Sequence, residues 1–405
     1  MTTFSPDNAD QVAEVVAWAA AESEPLALRG TGTKASVGQA VNIEHELDLS
    51  KLSGVTLYEP DELVLQAGPA TPMDEINKLL ADHGQALAFE PPDLGPLLTG
   101  APAAGSLGGV IAANLAGPRR IKSGAARDHF LGFNAVSGRG ESFKSGGRVV
   151  KNVTGYDLCK LMCGSWGTLA AMTSVTVKVL PVAPKERTVL VATNDAATAV
   201  KALTVGLNSP LDVSGAGWLP ASMTATSPVD MVRLIGKGVA ALRLEGIEGS
   251  IVYRCDQLRN LLGDLGTLEE LHTSRSRAFW QAMRDVQPFA GAEGKRPVWK
   301  ISVAPQDGPA VLAALEGKGL RDAFMDWGGG LIWLAVPADL EDAGATVIRE
   351  AVNAVGGHAM LMRASPTLRA AVPVFHPQNA ALAALGKRIR DGFDPHGILN
   401  PGRMG

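Results

Sequence analysis

The sequence predicts an α+β protein of two domains closed by a short C-terminal segment, and three observations carry that reading. At 405 residues and 42.1 kDa the chain is longer than one hydrophobic core ordinarily fills. Its first 181 residues alternate short apolar strands with helices around a stretch dominated by glycine and small residues. Beyond Pro181 the texture becomes regularly amphipathic and runs twice through strand, helix and strand, the pattern of an antiparallel or mixed sheet with helices on one face. The expected divisions are 1–181, 182–378 and 379–405.

The elements follow in order. In "NADQVAEVVAWAAAES" Val12, Val15, Val16 and Ala19 recur at helical spacing behind Asn8 or Asp10 as cap. "PLALRG", residues 25–30, reads as a buried strand running into a loop. "GVTLYEPDELVLQAGPA" gives two strands around an acidic turn, and "TPMDEINKLLADHG" a helix with Thr71 as N-cap and Gly84 at its end. After the glycine-rich residues 100–147, "GTLAAMTSVTVKVLP" closes the region as a strand. The first amphipathic round comprises strands "RTVLVAT", "LDVSGAGWL" and "GVAALRLEG" and the helix "EGSIVYRCDQLRNLLGDLG". The second comprises "RPVWKISVAP", helix "DGPAVLAALEGKG", strands "DAFMDWG" and "GLIWLAVP", helix "LEDAGATVIREAVNAVGG" and strand "HAMLMRA". The tail, 381–405, is an amphipathic helix ending in a coil punctuated by proline and glycine.

"RGTGTKAS", Arg29 to Ser36, opens directly after a strand. It is not a Walker loop, because no glycine precedes Lys34 and no Ser or Thr follows it, nor is it GxGxxG opening a long helix. What remains is a turn in which Gly30 and Gly32 let backbone N–H groups converge on an anion while Thr31, Thr33 and Ser36 add hydroxyls, a nest suited to a pyrophosphate. Lys34 and Ala35 complete it. "PAAGSLGGVIAANLAGP" brings paired glycines, Gly108 and Gly109, that permit close backbone approach to a ligand. The third element is "GRVVKNVTGYDLCKLMCGSWGTLAAMTSVTVKVLP", residues 147–181.

This ordered set resembles the FAD-binding domain of the vanillyl-alcohol oxidase / p-cresol methylhydroxylase (PCMH) superfamily. "FDPHGILNPGR" is similar to the end of its 2-hydroxyacid dehydrogenase branch, and residues 116–162 are similar above all to the FAD-binding subunits of bacterial glycolate oxidases. The motifs cover about the first 180 and last 25 residues; the middle rests on architecture alone. The resemblance implies a PCMH-type FAD-binding domain of two subdomains, a ferredoxin-like α+β cap, and a tail that returns to the first domain. It places FAD against residues Arg29 to Ser36, against Gly105, Ser106, Leu107, Gly108 and Gly109, and near Asn114, Gly124, Arg127 and Asp128. Asn152, Val153, Thr154, Gly155, Tyr156 and Asp157 would pass the isoalloxazine edge, with Lys151 or Lys160 supplying positive charge to the reduced flavin. Neither glycine loop contains His or Cys, so non-covalent FAD is expected.

Other residues carry weaker signals. Cys159 and Cys163, four apart on a short helix begun by Asp157 and ended by Gly164, do not have thioredoxin spacing and read as small buried thiols. Three cysteines cannot furnish the four thiolates of an ordinary iron–sulfur cluster, so such a cluster would sit on another chain. The seven histidines include no pair seven apart, the metal-binding feature of the catalytic relatives; His376 and His396 are candidate bases or plain structural residues. Arg119 and Arg120 suit a carboxylate or an acidic partner, Trp166 a flavin shield or core, and Arg403 beside Asn400 would approach the flavin. Lys387 to Arg390 read as a solvated face.

A net charge of −4 with pI near 6.0 gives no basic stripe for nucleic acid. The N-terminus lacks the features of a secretory leader and no apolar run reaches 18 residues, so the expectation is a cytoplasmic protein touching the inner membrane face at most through its complex. Three functions fit: an FAD-binding subunit of a glycolate oxidase complex, beside a paralogous flavin subunit and an iron–sulfur subunit; a self-sufficient dehydrogenase of small 2-hydroxyacids such as glycolate or D-lactate; or an assembly subunit whose flavin is structural.

Overall fold

In a computed structural model the chain is described over residues 2–148, 155–291 and 296–404. Two sheets organise its first part. His45–Asp48 runs between Thr2–Phe4 and Leu26–Arg29 in a three-stranded parallel sheet. Helix Ala9–Glu22 buries Val12, Val16 and Ala19 beside it, together with Leu26, Leu47 and Leu399. Of the two candidate caps it is Asn8 that acts, its side-chain oxygen accepting the Gln11 N–H at 3.0 Å, while Asp10 lies in the first turn where the helix dipole favours it. The second sheet is antiparallel, ordered Val55–Glu59, Val64–Ala67, Ala170–Lys178, Phe130–Ser137, Ser142–Gly146.

One local expectation is corrected here. Thr71 does not cap the next helix, Met73–Asp82: Pro72 occupies that position, and the buried Thr71 hydroxyl donates to the Gly68 carbonyl at 2.8 Å and accepts the Gly54 N–H at 2.9 Å. The glycine-rich residues 100–147 hold more regular structure than their composition suggests, including helix Leu107–Ala112 and two strands of the antiparallel sheet.

The second part is one eight-stranded sheet, ordered Leu268–His272, Lys185–Thr193, Gly238–Gly246, Gly215–Leu219, Asp322–Asp326, Leu331–Ala335, Val298–Ser302, His358–Arg363, with each neighbouring pair antiparallel. Each half of four strands has the spatial order fourth, first, third, second, which is the ferredoxin-like arrangement. The halves join through their second strands at Trp218 and Met325. The edge strand Leu268–His272, "LEELH", goes beyond the sequence reading, because its acidic residues hide the alternation; charges of this kind suit an edge that must not recruit another strand. Alternate residues divide between two cores: Val189 and Val191 face the helices, whereas Leu190 between them joins the core shared with the first part. The tail then returns, with Leu399 bridging Leu26 and the Asp394 carboxylate accepting the Ile398 and Leu399 N–H groups at 3.1 and 2.8 Å.

A buried ion quartet locks the two parts together. Arg243, on the large sheet, is 1% exposed and forks onto Glu90 of the first part at 3.0 and 2.8 Å. Arg119 of the first part forks in turn onto Glu245 of the sheet at 3.0 and 2.6 Å. Bidentate geometry compensates the desolvation of both charges. Burial pushes the Glu90 carboxyl up, but the guanidiniums of Arg243 and Arg119 outweigh it and bring it down to about 2. Because that value is depressed, the stabilisation is present above the ordinary carboxylate range and is lost as pH falls toward 2. Glu90→Gln, which strands Arg243, is expected to destabilise the protein by about 3–5 kcal/mol in urea denaturation at neutral pH, and Glu90→Leu with Arg243→Met to recover part of the loss.

Candidate functional site: a cationic cavity

Strand Leu26–Arg29 delivers the loop 29–36 into the space between the two sheets of the first part. Arg29 braces its entry, paired with Glu46 at 3.0 Å and Asp48 at 3.3 Å, so its charge is spent within the chain. Gly32 turns the loop at φ +74°, a conformation that favours glycine. The loop then lies directly against Gly105 to Gly109. A Cβ at Gly105 would come within 2.7 Å of the Lys34 Nζ, one at Gly30 within 2.9 Å of the Ser106 Oγ, and one at Gly108 within 2.7 Å of Pro69. Gly108 is thus required by packing on the Pro69 backbone, and Gly105, at φ +86°, by its own conformation, before any ligand is considered.

The result is a cavity of about 510 Å³, within the ordinary range for cofactor sites. Every residue from Arg29 to Ala35 lines it, as do Ser106, Gly108 and Gly109. Ser36, Gly105 and Leu107 do not: Gly105 backs onto Lys34 and Leu107 is fully buried in the core. Trp166 forms part of the wall, and the C-terminal tail contributes Asn400 and Arg403. Asn400 is pinned on both sides, accepting the Leu28 N–H at 2.8 Å and donating to the Trp166 carbonyl at 2.9 Å. Arg369, on the short helix Pro366–Ala371, completes the lining. No motif announced it, because it stands 335 residues after Lys34 in the chain.

Charge is the distinctive property of this cavity. Lys34, Arg369 and Arg403 face it, and none forms an ion pair among the described residues. Lys34 has one side-chain hydrogen bond, to the Thr33 hydroxyl at 3.2 Å. Loss of water pushes its ammonium down to about 8, with the field of Arg403 adding to the effect and that of Asp93 opposing it. The Asp93 oxygens accept from the N–H groups of Gly95 and Ala103. Arg403 donates to the Lys34 carbonyl at 2.6 Å, and burial beside Arg369 brings it down to about 10. Arg369 donates to the Gly38 carbonyl at 3.0 Å, and its buried Nε has no partner. Three desolvated cations around amide-rich backbone fit an organic diphosphate.

The remaining predicted residues lie along the segment that leaves this cavity. Asn114 turns the corner at φ +48°, its side-chain oxygen accepting from the Arg127 N–H at 3.2 Å and from the Cys163 thiol at 3.4 Å. Gly124 and Asp128 line a separate cleft of about 350 Å³ between this segment and the large sheet. Arg127 is exposed, and Lys160 donates to its carbonyl while sitting 3.7 Å from Asp128. Gly155, Tyr156 and Asp157 line neither space; Tyr156 is 91% exposed, and Asp157 caps helix Leu158–Met162. Asn152, Val153 and Thr154, with Lys151, lie outside the described residues.

The weaker candidates separate as well. Arg119 belongs to the ion quartet. His376 is held by the Ala359 N–H at 3.2 Å and by Asn353 at 2.9 Å, and neither it nor the exposed His396 lines the cavity. Cys159, Cys163 and Cys255 are buried free thiols, each pushed up to about 12 by burial, so they are inert at neutral pH. No group of three or more His, Cys, Asp or Glu is placed to hold a metal ion among the described residues.

An FAD-binding domain family profile matches residues 2–146. The fold is that of p-cresol methylhydroxylase, whose substrate-bound structure superposes with a TM-score of 0.72 at 14% identity over 100% of this chain and 88% of the other. Fold and cavity together define the class, an FAD-linked oxidoreductase of the PCMH type. Among characterised sequences, glycolate oxidase subunit GlcE of Escherichia coli is 34% identical over 98% of this chain and 97% of its own. A D-lactate dehydrogenase of Archaeoglobus fulgidus is 34% identical over 44% of this chain and 38% of its own. The chain belongs to the glycolate oxidase GlcE family of FAD-binding proteins.

Lys34→Met should leave the fold intact and weaken FAD about 10- to 150-fold, the value of one charge-assisted hydrogen bond, when measured by quenching of flavin fluorescence. In the wild type, a diphosphate beside Lys34 raises its pKa above the free value of about 8. Binding therefore takes up a proton above that pH, and affinity falls as pH rises through the window; calorimetry in buffers of different ionisation enthalpy reads both.

Proposed function

We propose that this chain is a non-covalent FAD subunit of a glycolate-oxidising complex, working beside a paralogous flavin subunit and an iron–sulfur subunit that carries electrons onward. The cationic cavity is the observation that carries the reading, since loop amides and Lys34, Arg369 and Arg403 converge there while the carboxylate that lines it, Glu46, is paired with Arg29. When bound, FAD would supply a redox centre that takes up and passes on the electrons released in the complex as a 2-hydroxyacid becomes a 2-oxoacid. The residues of the chain do the rest: three cations neutralise the diphosphate, Asn400 fixes the tail against the cofactor loop, and the wall formed by Trp166 and Met172 excludes water. Among the described residues no His, Cys or Tyr lines the cavity, which supports a cofactor held without a covalent bond.

In this reading residues 1–181 form the flavin domain, 182–378 the cap, and 379–405 the returning tail. Near full-length similarity to GlcE supports the complex and its substrate, glycolate with D-lactate as a larger relative. No helix among the described residues is long and apolar enough to cross a membrane. In this reading the chain is cytoplasmic, with any membrane contact made through its partners.

The test is to purify the chain alone and with its partner subunits and to add glycolate without oxygen. The isolated chain should be yellow, release its colour to the supernatant on acid precipitation, and keep its flavin oxidised; the assembled complex should bleach. A colourless chain that takes up no FAD contradicts the proposal, and bleaching of the isolated chain makes it a self-sufficient dehydrogenase.

A further inference from the structure

The helix Ala380–Phe393 is anchored at one end only. At its C-terminal end the Phe393 carbonyl accepts the Gly138 N–H at 2.9 Å, and the Gly392 carbonyl accepts from the Arg139 guanidinium at 3.1 Å. Ile389 and Phe393 pack on the core shared by the two parts, the Phe393 ring 5.8 Å from that of Phe143. Towards its N-terminus the helix leaves the body of the chain. Every residue from 377 to 385 is exposed, including the whole run "AALAAL", Ala380 to Leu385, with Leu382 at 53% and Leu385 at 49%.

Leu382, Leu385, Ile389 and Phe393 stand at i, i+3, i+7 and i+11 and so form one apolar stripe. Its lower half is covered by the chain itself, its upper half by no described residue. The free half is built to remain helical: Asn379 accepts the Leu382 N–H at 3.0 Å as N-cap, and alanine and leucine have high helix propensity. Single exposed leucines are ordinary on a surface, but more than a full helical turn without a polar side chain on any side is not.

The character of its occupant follows from the neighbouring residues. Alanine between the leucines lets the walls of a groove close on the helix, the geometry of insertion into a groove. Lys387 and Arg388 come next; Lys387 is matched by Asp391 at 2.7 Å, whereas Arg388 forms no ion pair among the described residues, so it favours an acidic rim. A second copy offers no such groove among its described residues: the large cavity is lined by Lys34, Arg369 and Arg403, and the small one that holds Asp74, Asp93 and Asp285 has only about 170 Å³. The exposed half carries no aromatic residue, which argues against a lipid surface. Phe375, five residues before the helix, lies against Trp166 of the cationic cavity with ring centroids 5.9 Å apart, so the helix springs from the cavity wall.

We propose that the projecting half of this helix docks a companion subunit, entering an apolar groove whose rim carries carboxylates. The inference rests on the reading of the chain as a subunit of a glycolate-oxidising complex, and names the surface by which it joins.

The test is co-expression with the companion subunits and capture on a tag carried by this chain. Leu382→Glu with Leu385→Glu, both at exposed positions, should keep the yellow colour and melting temperature of the wild type and recover about tenfold or more less of the companions. Leu382→Ala with Leu385→Ala, which adds no charge, should act in the same direction, and Arg388→Glu should weaken assembly most at low salt. Wild-type recovery by both double variants overturns the proposal, as does loss of flavin together with the companions, which would make the helix part of the fold. Dimerisation of the isolated chain that the variants lose, or leucine-dependent binding to phosphatidylserine vesicles, with companion capture unaffected in either case, assigns the helix to a second copy or to a membrane and overturns it too. A wild-type chain that captures no companion defeats the complex reading as well, and is told apart from failure of the helix alone, in which wild type and variants assemble equally.

Discussion

Like charges do not share a desolvated space without compensation, and that constraint organises the first part of this protein. Lys34 comes from the glycine loop, Arg369 from a short helix after the large sheet, and Arg403 from the tail. Burial lowers the pKa of each, and a neighbouring cation adds to this at Lys34 and Arg403, so the free protein holds its cavity at an electrostatic cost. A ligand carrying a diphosphate relieves that cost. The same charges that weaken the free state therefore generate affinity and select for phosphate-bearing ligands over neutral ones of similar shape.

The rest of the fold serves to bring these distant residues together. Asn400 ties the last turn of the chain to the strand that launches the loop, and Asp394 shapes the tail just before it. The helix carrying Arg369 docks on residues 38–40, with the Ala40 N–H bonded to the Arg369 carbonyl at 3.4 Å. Arg243 and Arg119 exchange carboxylates between the large sheet and the first part, fixing the segment 117–128 from the sheet side. An ion quartet is a costly way to join two apolar surfaces, yet its forked geometry sets one relative placement where hydrophobic packing alone tolerates sliding.

Much of this was legible in the sequence where a local rule applied. The loop 29–36, the paired glycines at 108 and 109 and the two strand–helix–strand rounds each carry their signal in neighbouring residues, while the return of the tail came from the family resemblance. What escaped was whatever depends on tertiary placement. Arg369 looks like any helix arginine until its helix meets the loop. Thr71 satisfied the local rule for a helix cap but found buried carbonyls instead. Leu268–His272 was hidden because edge strands are charged for reasons that have nothing to do with alternation. Arg119 and Arg120, adjacent and chemically identical, proved to belong to different structures, one an internal ion pair and the other a cleft facing solvent.

The account is tested most directly by comparing the affinity of the cofactor-free protein for FAD with that for riboflavin, which keeps the isoalloxazine and lacks both phosphates and the adenosine, in the wild type and in Lys34→Met. If the three cations are the source of binding, riboflavin should bind weaker by about three orders of magnitude or more, as expected for loss of several charge-assisted hydrogen bonds. Equal affinity for the two would show that the ring alone is held and that the converging charges serve some other purpose.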